Sequence, residues 1–340
     1  MKKKIRALRY IPFYPLIILT AQLIFNKGCS FSKLPLIIIV YLRYLILEPF
    51  RLGEIIIYER KIRKFPLDKI IFVIGHWRSG TTHLQHLLSL NENHTTSSVY
   101  QFLFADNFIL TEKWLKPPLN FLCRIFKIPY SFQRMPLDLN LPGELESAMC
   151  GFCSLHSYAW GHIFPKNCMY WMNKYLFDPK KNDLENWLDD YEFLIKKFSY
   201  ASGGKIMIVK SPGDTARILA LSQRFPNSKF IHISRNKKEV ITSTSYFWEV
   251  IQKEISFQKI NQEEINQIID STYEILMKTY EDKKQITNNQ LIEVQFEKLI
   301  ENPIEEINRI YSLFNLGSPD TQKILQLLEK NKQLREQKNL

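Results

Sequence analysis

The hydrophobic and polar positions fall into short strand-like runs that alternate with longer helical patterns. Ile70–Ile74, Lys205–Val209, Lys229–Ile233 and Leu291–Gln295 are apolar runs rich in β-branched residues, which are typical of strands buried on both faces. Between them lie amphipathic stretches such as Leu184–Ser199, whose apolar residues share one helical face. This alternation predicts an α/β fold in which a parallel β-sheet is flanked by helices on both faces.

The first predicted strand leads through a turn bounded by Gly75 and Gly80 into a helical pattern. The two glycines have the spacing of the nucleotide-triphosphate loop G-x-x-x-x-G-K-[ST], but Thr81 replaces the lysine and Arg78 is the only cation in the loop. Backbone N–H groups and the helix dipole favour an anion at such a turn. We therefore expect a phosphate-type ligand here; the alternative is a tight strand-to-helix turn without a ligand.

Cations follow the next two predicted strands at the ends where ligands of open α/β sheets bind. Lys210-Ser211 follows the second strand, and Ser234-Arg235 follows the third. A kinase or GTPase would need an Asp at one of these ends to hold Mg²⁺. The pattern instead predicts a P-loop-like site for a ligand with several phosphate or sulfate groups, neutralised by side chains and without a metal ion.

Residues 1–65 differ from the rest of the chain. A basic start precedes two apolar runs, Tyr10–Phe25 and Leu34–Phe50, which are interrupted by prolines or by Arg43, so neither predicts a strong transmembrane helix. We interpret this segment as helices at the inner face of a membrane; the alternative is a helix pair packed on the main domain. Residues 66–320 are predicted to form the main domain, and residues 321–340 a basic C-terminal tail.

The net charge and the cysteine content indicate the kind of partner and the redox compartment. The net charge of +12 indicates an anionic partner, which could be a nucleotide, a nucleic acid or an acidic membrane face. The five cysteines form no obvious disulfide framework, and Cys150-x-x-Cys153 lacks a second pair for zinc, so a reducing, cytoplasmic setting fits best. The aromatic-rich region Tyr100–Tyr130 is expected to be irregular and to wall a pocket.

Three segments carry a family resemblance: GHWRSGTTHL, VKSPGDTARI and FIHISRNKKEVITS. They resemble the motifs of sulfotransferases that use 3′-phosphoadenosine-5′-phosphosulfate (PAPS), above all a bacterial group whose loop reads G-H-W-R-S-G-T-T. The resemblance spans about residues 67–316 and includes LPGELE and VQFEKLIENP. It implies the sulfotransferase fold, PAPS as donor and 3′,5′-adenosine bisphosphate as product. It also implies a 5′-phosphosulfate loop made of Arg78, Ser79, Gly80, Thr81 and Thr82, and a 3′-phosphate pair made of Arg235 and Ser243.

The resemblance suggests catalytic roles for four residues. Arg78 and Lys210 are expected to stabilise charge on the leaving phosphate, because sulfuryl transfer depends on positioning and electrostatics. Glu144 and Glu146, in a segment like the group's P-x-E-x-E, are expected to face the cleft and supply the base; the alternative is that both only stabilise a helix N-terminus. Asp214 replaces the histidine of the group's K-S-P-x-H, and we interpret it as a helix cap.

The acceptor is expected to carry a hydroxyl or an amine, and the aromatic region with the apolar N-terminus favours an amphiphile such as a lipid or a lipid-linked glycan. One alternative is a nucleotide- or membrane-binding protein that keeps the fold without turnover, marked by the change at Asp214. Another is an atypical nucleotide kinase, which is disfavoured because the loop has no lysine and none of these strand ends carries an Asp. Nucleic-acid binding is disfavoured because the aromatics do not interleave with a basic stripe.

Overall fold

The structure is a computed structural model that describes residues 9–67, 69–133, 135–287 and 289–336. The basic residues Lys2, Lys3, Lys4, Arg6 and Lys338 lie outside these ranges. The strands are β1 (Ile70–Gly75), β2 (His94–Thr95), β3 (Pro129–Tyr130), β4 (Met135–Pro136), β5 (Ile206–Lys210), β6 (Lys229–Ser234) and β7 (Leu291–Gln295).

A five-stranded parallel sheet in the order β2-β5-β1-β6-β7 forms the centre of the fold. All six residues of β1 are buried, as expected for the middle strand of a sheet that is covered on both faces. Phe72 pairs in register with Val209 on one side and with Phe230 on the other. Strands β3 and β4 form a separate antiparallel pair.

Two apolar clusters cover the two faces of this sheet. On one face, Phe72 and Phe230 stack at 5.2 Å and pack with the cluster that contains Trp187 and Tyr191. On the opposite face, Val73 packs with residues of the C-terminal helices. The predicted α/β fold with helices on both faces of a parallel sheet is therefore confirmed.

The helices make up most of the remaining described structure. Short 3₁₀ or π turns extend several of them, including Pro212–Arg217 and Ile251–Ile255. The α-helices are α1 (Tyr14–Phe25), α2 (Leu34–Lys64), α3 (Thr81–Leu88), α4 (Val99–Leu103), α5 (Phe108–Ile125), α6 (Leu145–Gly151), α7 (Trp160–Ile163), α8 (Cys168–Met172), α9 (Lys181–Ala201), α10 (Ile218–Arg224), α11 (Lys237–Val250), α12 (Gln262–Thr279), α13 (Phe296–Glu301), α14 (Pro303–Phe314) and α15 (Thr321–Glu336).

Two sequence-based expectations about local structure are wrong. The aromatic region is not irregular: α4 and α5 occupy most of it, because buried Phe108, Thr111 and Cys123 keep a helical spacing while Pro117 and Pro118 face solvent. The predicted helix over residues 144–158 ends instead at Gly151. The side chains of Ser154 and Ser157 accept hydrogen bonds from the backbone N–H groups of His156 and Ala159, each at 3.0 Å. These local turns compete with the helix, which therefore ends at Gly151.

Residues 321–336 of the predicted basic C-terminal tail are helical. Helix α15 covers residues 321–336, and Ile324 is buried in the cluster on the second face of the sheet. Asn331 of this helix lines the main cavity described below.

The N-terminal helices pack directly on the main domain. Lys33 donates to the backbone oxygens of Gln252 and Lys253 at 2.6 and 2.8 Å, and Arg43 pairs with Asp106 at 2.7 Å. Lys197 forms a buried ion pair with Glu54 of α2. Within the described residues, no helix is both long enough and apolar enough to span a bilayer.

Candidate active site

The loop between β1 and α3 depends on its two glycines. Gly75 has φ +145°, and a Cβ there would lie 2.4 Å from the backbone oxygen of Ile233. Gly80 has φ +106°, and a Cβ there would lie 2.2 Å from the ring of Phe296. The backbone therefore turns sharply into α3, whose first-turn residues Thr81 and Thr82 line the main cavity. This is the strand–turn–helix geometry that favours an anion.

Arg78 sits at the centre of the loop in a left-handed backbone conformation, φ +70°, which is uncommon for a residue other than glycine. Its Nε donates to Ser243 Oγ at 2.9 Å, and its Nη1 donates to the Phe132 oxygen at 3.0 Å. Arg235 Nη1 in turn donates to the Arg78 oxygen at 3.3 Å. Arg78, which the resemblance assigned to the 5′-phosphosulfate loop, is thus in contact with Arg235 and Ser243, which it assigned to the 3′-phosphate.

Polar atoms suited to an anion surround this loop. Ser79 Oγ and Trp77 Nε1 are buried and have no hydrogen-bond partner within the described ranges. The same holds for Ser211 Oγ, which directly follows the end of β5. Buried donors without a partner are costly. The cations Arg78, Lys210 and Arg235 and the N-terminus of α3 line the cavity and fit a ligand with anionic groups.

Lys210 and Glu144 form an ion pair at the C-terminal end of β5. The Lys210 Nζ donates to Glu144 Oε2 at 2.9 Å, and both residues line the cavity. Lys210 ends its strand, whereas Glu144 immediately precedes helix α6 in an extended conformation. One cation and one carboxylate from distant parts of the chain therefore meet next to the phosphate-type loop.

Glu146 occupies a different place from Glu144. Its side chain is fully buried and accepts hydrogen bonds from Ser157 at 2.8 Å, Trp187 at 3.2 Å and Arg217 at 2.8 Å. It is absent from the residues that line the cavity. The expectation that both glutamates face the cleft is therefore wrong for Glu146, because residues two positions apart near a helix start point to different sides.

Asp214 belongs to the same buried network. It accepts from Tyr191 Oη at 2.5 Å and from Arg217 Nη2 at 2.9 Å. Burial raises the pKa of Asp214 to about 7, against the lowering effects of Arg217 and the Tyr191 hydrogen bond. The interpretation of Asp214 as a helix cap is wrong: it is the third residue of the 3₁₀ turn, and its carboxylate holds side chains instead. Thr215 of that turn donates to the Gly75 oxygen at 3.0 Å and so ties the network to the loop.

The cavity that joins these groups has a volume of about 1020 Å³, at the upper end of the range for ligand pockets. Its lining includes the loop, Lys210, Arg235 and Glu144. It also includes apolar residues from three separate segments of the chain, which we call its apolar end. They contribute Leu19, Leu36, Val40 and Tyr44 of the N-terminal helices, Trp160 and Ile163 of α7, and Phe247, Ile251, Ile255 and Phe257 around the end of α11.

His162 is a cavity residue that the sequence did not single out. Burial lowers its pKa to about 4, against the raising effect of the nearby Glu144. Its ring lies between Tyr158, Phe247 and Trp248 in edge-to-face contacts. No motif marked His162, because α7 that carries it has a single turn. Across the described part of the chain, no group of three or more His, Cys, Asp or Glu is placed to hold a metal ion.

Comparisons with known proteins agree with this geometry. The model of the sulfotransferase family matches residues 71–320. The omega-hydroxy-beta-dihydromenaquinone-9 sulfotransferase Stf3 of Mycobacterium tuberculosis is 29% identical over 269 residues, which cover 78% of this chain and 68% of that protein. Its counterpart in Mycobacterium bovis has the same identity and coverage.

Solved structures show the same fold. Sulfotransferase STF1 from Mycobacterium tuberculosis aligns with a TM-score of 0.66 and 14% identity, over 90% of this chain and 83% of that chain. Sulfotransferase STF9 from Mycobacterium avium aligns with a TM-score of 0.64 and 16% identity, over 79% of this chain and 69% of that chain. The family match covers most of the chain, so this protein belongs to the sulfotransferase family and is a sulfotransferase.

Proposed function

We propose that this sulfotransferase takes the sulfuryl group from PAPS and transfers it to the hydroxyl of an amphiphilic, lipid-type acceptor. The observation that carries the proposal is the cavity itself, which is lined both by Arg78, Lys210 and Glu144 and by apolar side chains from three segments of the chain. An anionic donor and an apolar acceptor need these two environments in one space. The reacting groups would meet where the two environments join.

Arg78 and the loop would hold the 5′-phosphosulfate. The N-terminus of α3 would supply backbone donors to its oxygens. Arg235 and Ser243 would hold the 3′-phosphate, which distinguishes PAPS from ATP. The hydrogen bond between Arg78 and Ser243 supports adjacent binding of the two phosphate groups.

The transfer would be a direct in-line displacement. The acceptor oxygen forms a bond to sulfur while the bond from sulfur to the bridging phosphate oxygen breaks. The acceptor proton passes to Glu144, and the bond electrons stay on the leaving phosphate of 3′,5′-adenosine bisphosphate. Arg78 and Lys210 stabilise that developing charge. The products are a sulfate monoester and the bisphosphate, so protons, charge and atoms balance without a further reactant.

Glu144 is the base that we propose, in place of the pair of glutamates expected from the sequence. Glu144 lines the cavity and lies 2.9 Å from Lys210, whereas Glu146 is fully buried and held by Arg217. Donor binding would draw Lys210 toward the leaving oxygen and release the Glu144 carboxylate to accept a proton.

The acceptor class follows from the apolar end of the cavity. Leu36, Val40 and Ile251 offer no hydrogen-bonding side chains, so they would hold a hydrocarbon portion while the hydroxyl reaches Glu144. The relative Stf3 supports a hydroxyl acceptor, since its name gives a hydroxylated menaquinone. We also propose that the protein contacts a membrane surface.

Ligand-induced thermal stabilisation tests the donor. 3′,5′-Adenosine bisphosphate with a chelator present should raise the melting temperature, and Arg235→Ala should reduce that rise. ATP with Mg²⁺ should have little effect. Stabilisation by ATP and Mg²⁺ alone would favour a kinase and overturn the proposal.

A further inference from the structure

The outer face of helix α2 is free of acidic residues. Each of its exposed residues is apolar or cationic, although the helix contains three glutamates. Ile39 and Ile46, two turns apart, are 63% and 66% exposed. The exposed residues are Leu34, Pro35, Ile38, Ile39, Leu42, Leu45, Ile46, Pro49, Ile56, Ile57, Arg60, Lys61 and Lys64.

The three glutamates of this helix all point inward. Glu48 pairs with Arg51 at 2.6 Å, and Glu54 pairs with Lys197. The third, Glu59, is also buried and pairs with Arg63 of the next turn. The fold thus removes every negative charge from the outer face of α2 and leaves the cations at its C-terminal end exposed.

The neighbouring helices continue this surface. The exposed residues of α1 are uncharged and include Ile17, Ile24 and Phe25. Helix α5 exposes Lys113, Arg124 and a set of apolar residues but no acidic residue of its own, and Arg124 pairs with Asp138 at 3.4 Å. Phe50 of α2 contacts Trp114 of α5 at 5.1 Å between ring centres, so the two surfaces meet. We call the exposed residues of α1, α2 and α5 the apolar–basic face.

The same helix α2 also walls the active-site cavity. Leu36 and Val40 line it, while Ile38 and Ile39 between them face outward. The start of the helix is held by Lys33, whose Nζ donates hydrogen bonds to the backbone oxygens of Gln252 and Lys253. Helix α2 therefore contributes residues both to the cavity lining and to the apolar–basic face.

We infer that the apolar–basic face docks on a bilayer that contains anionic lipids, and that a long-chain alcohol passes from this bilayer past α2 into the apolar end of the cavity. This inference rests on the proposed function for the identity of the reaction. Large exposed patches of apolar residues mark interaction sites on proteins. A bilayer is the occupant because apolar side chains enter it while the exposed cations Arg60, Lys61 and Lys64 of α2 meet its phosphate headgroups.

Vesicle flotation tests the docking. Wild-type protein should float with vesicles of phosphatidylethanolamine and phosphatidylglycerol in equal parts, and less with phosphatidylcholine alone. The double variant Ile39→Glu, Ile46→Glu should bind at least tenfold more weakly. The matched control Leu313→Glu, Leu325→Glu also places two acidic residues at exposed leucines, on α14 and α15, and should bind like wild type. Equal binding of all three proteins would overturn the inference, and so would absence of binding by wild type.

Chain-length selectivity tests the path into the cavity. Val40→Trp should fill part of the apolar end and lower transfer to hexadecanol in vesicles at least tenfold more than transfer to dissolved hexanol. Ile39→Glu, Ile46→Glu should lose only transfer to the vesicle-borne alcohol. Equal losses on both alcohols in Val40→Trp would contradict the path. Vesicle binding without transfer to either alcohol by wild type would instead count against the proposed function and leave the docking face standing.

Discussion

The Nζ of Lys210 lies 2.9 Å from Glu144 Oε2, at the end of a central strand and beside the phosphate-type loop. The pair joins the cation that would stabilise the leaving group to the carboxylate that would accept the acceptor's proton. Glu144→Gln should therefore lower kcat by about 10²-fold or more, because an amide keeps the shape but does not accept the proton. Binding of 3′,5′-adenosine bisphosphate, measured by calorimetry, should change little.

Glu146→Gln is the control for that variant. It removes the charge that faces Arg217 in a fully buried network, so it should destabilise the fold by roughly 3 kcal/mol. The residual folded enzyme should turn over at a rate close to wild type. A Glu146→Gln protein that melts like wild type but has lost kcat would restore Glu146 as the base.

Substitutions of the three cations proposed to bind the donor should differ in their kinetic effects. Arg78→Ala and Lys210→Ala should each lower kcat by about 10²-fold or more, as expected for groups that act on transition-state charge. Arg235→Ala should mainly raise the KM for the donor. Arg309→Ala removes a half-exposed arginine that is not among the cavity-lining residues and should change neither parameter. An unchanged kcat in Arg78→Ala would contradict the assignment of the loop.

Asp214→Asn should change the pH dependence of stability. The pKa of Asp214 rises from 3.8 to about 7 on folding, so the folded protein binds more protons in this interval. Its contribution to stability is complete below pH 3.8 and is lost as the pH rises through 7. Relative to wild type, the variant should gain roughly 1–3 kcal/mol between pH 5 and pH 8 in urea unfolding. A constant difference across this range would show that Asp214 does not titrate there.

His162 provides a second test of the base. Its lowered pKa keeps the ring neutral near neutral pH, and its edge-to-face contacts suggest a packing role. His162→Phe keeps an aromatic ring there and should retain kcat within about tenfold. Loss of turnover comparable to that of Glu144→Gln would identify His162 as the proton acceptor.

Local motifs allowed four of the five strands of the sheet, and the proximity of the loop to Lys210 and Arg235, to be predicted. Gly75, Arg78 and Gly80 form one loop, Lys210 ends strand β5 and Arg235 follows β6, so parallel topology alone brings them together. The apolar end was harder to predict because it is assembled from segments far apart in sequence. The burial of Glu146 depends on Arg217, which lies seventy-one positions later in the chain. The two-residue spacing between Glu144 and Glu146, however, already indicated that the two glutamates would not both face one cavity.

The most direct test of the account is transfer of ³⁵S from labelled PAPS to hexadecanol in anionic vesicles, with a metal chelator present. Wild-type protein should form a labelled alkyl sulfate and release 3′,5′-adenosine bisphosphate in equal amount, and Glu144→Gln should form neither. Absence of labelled ester from wild-type protein that binds both the nucleotide and the vesicles would contradict the account.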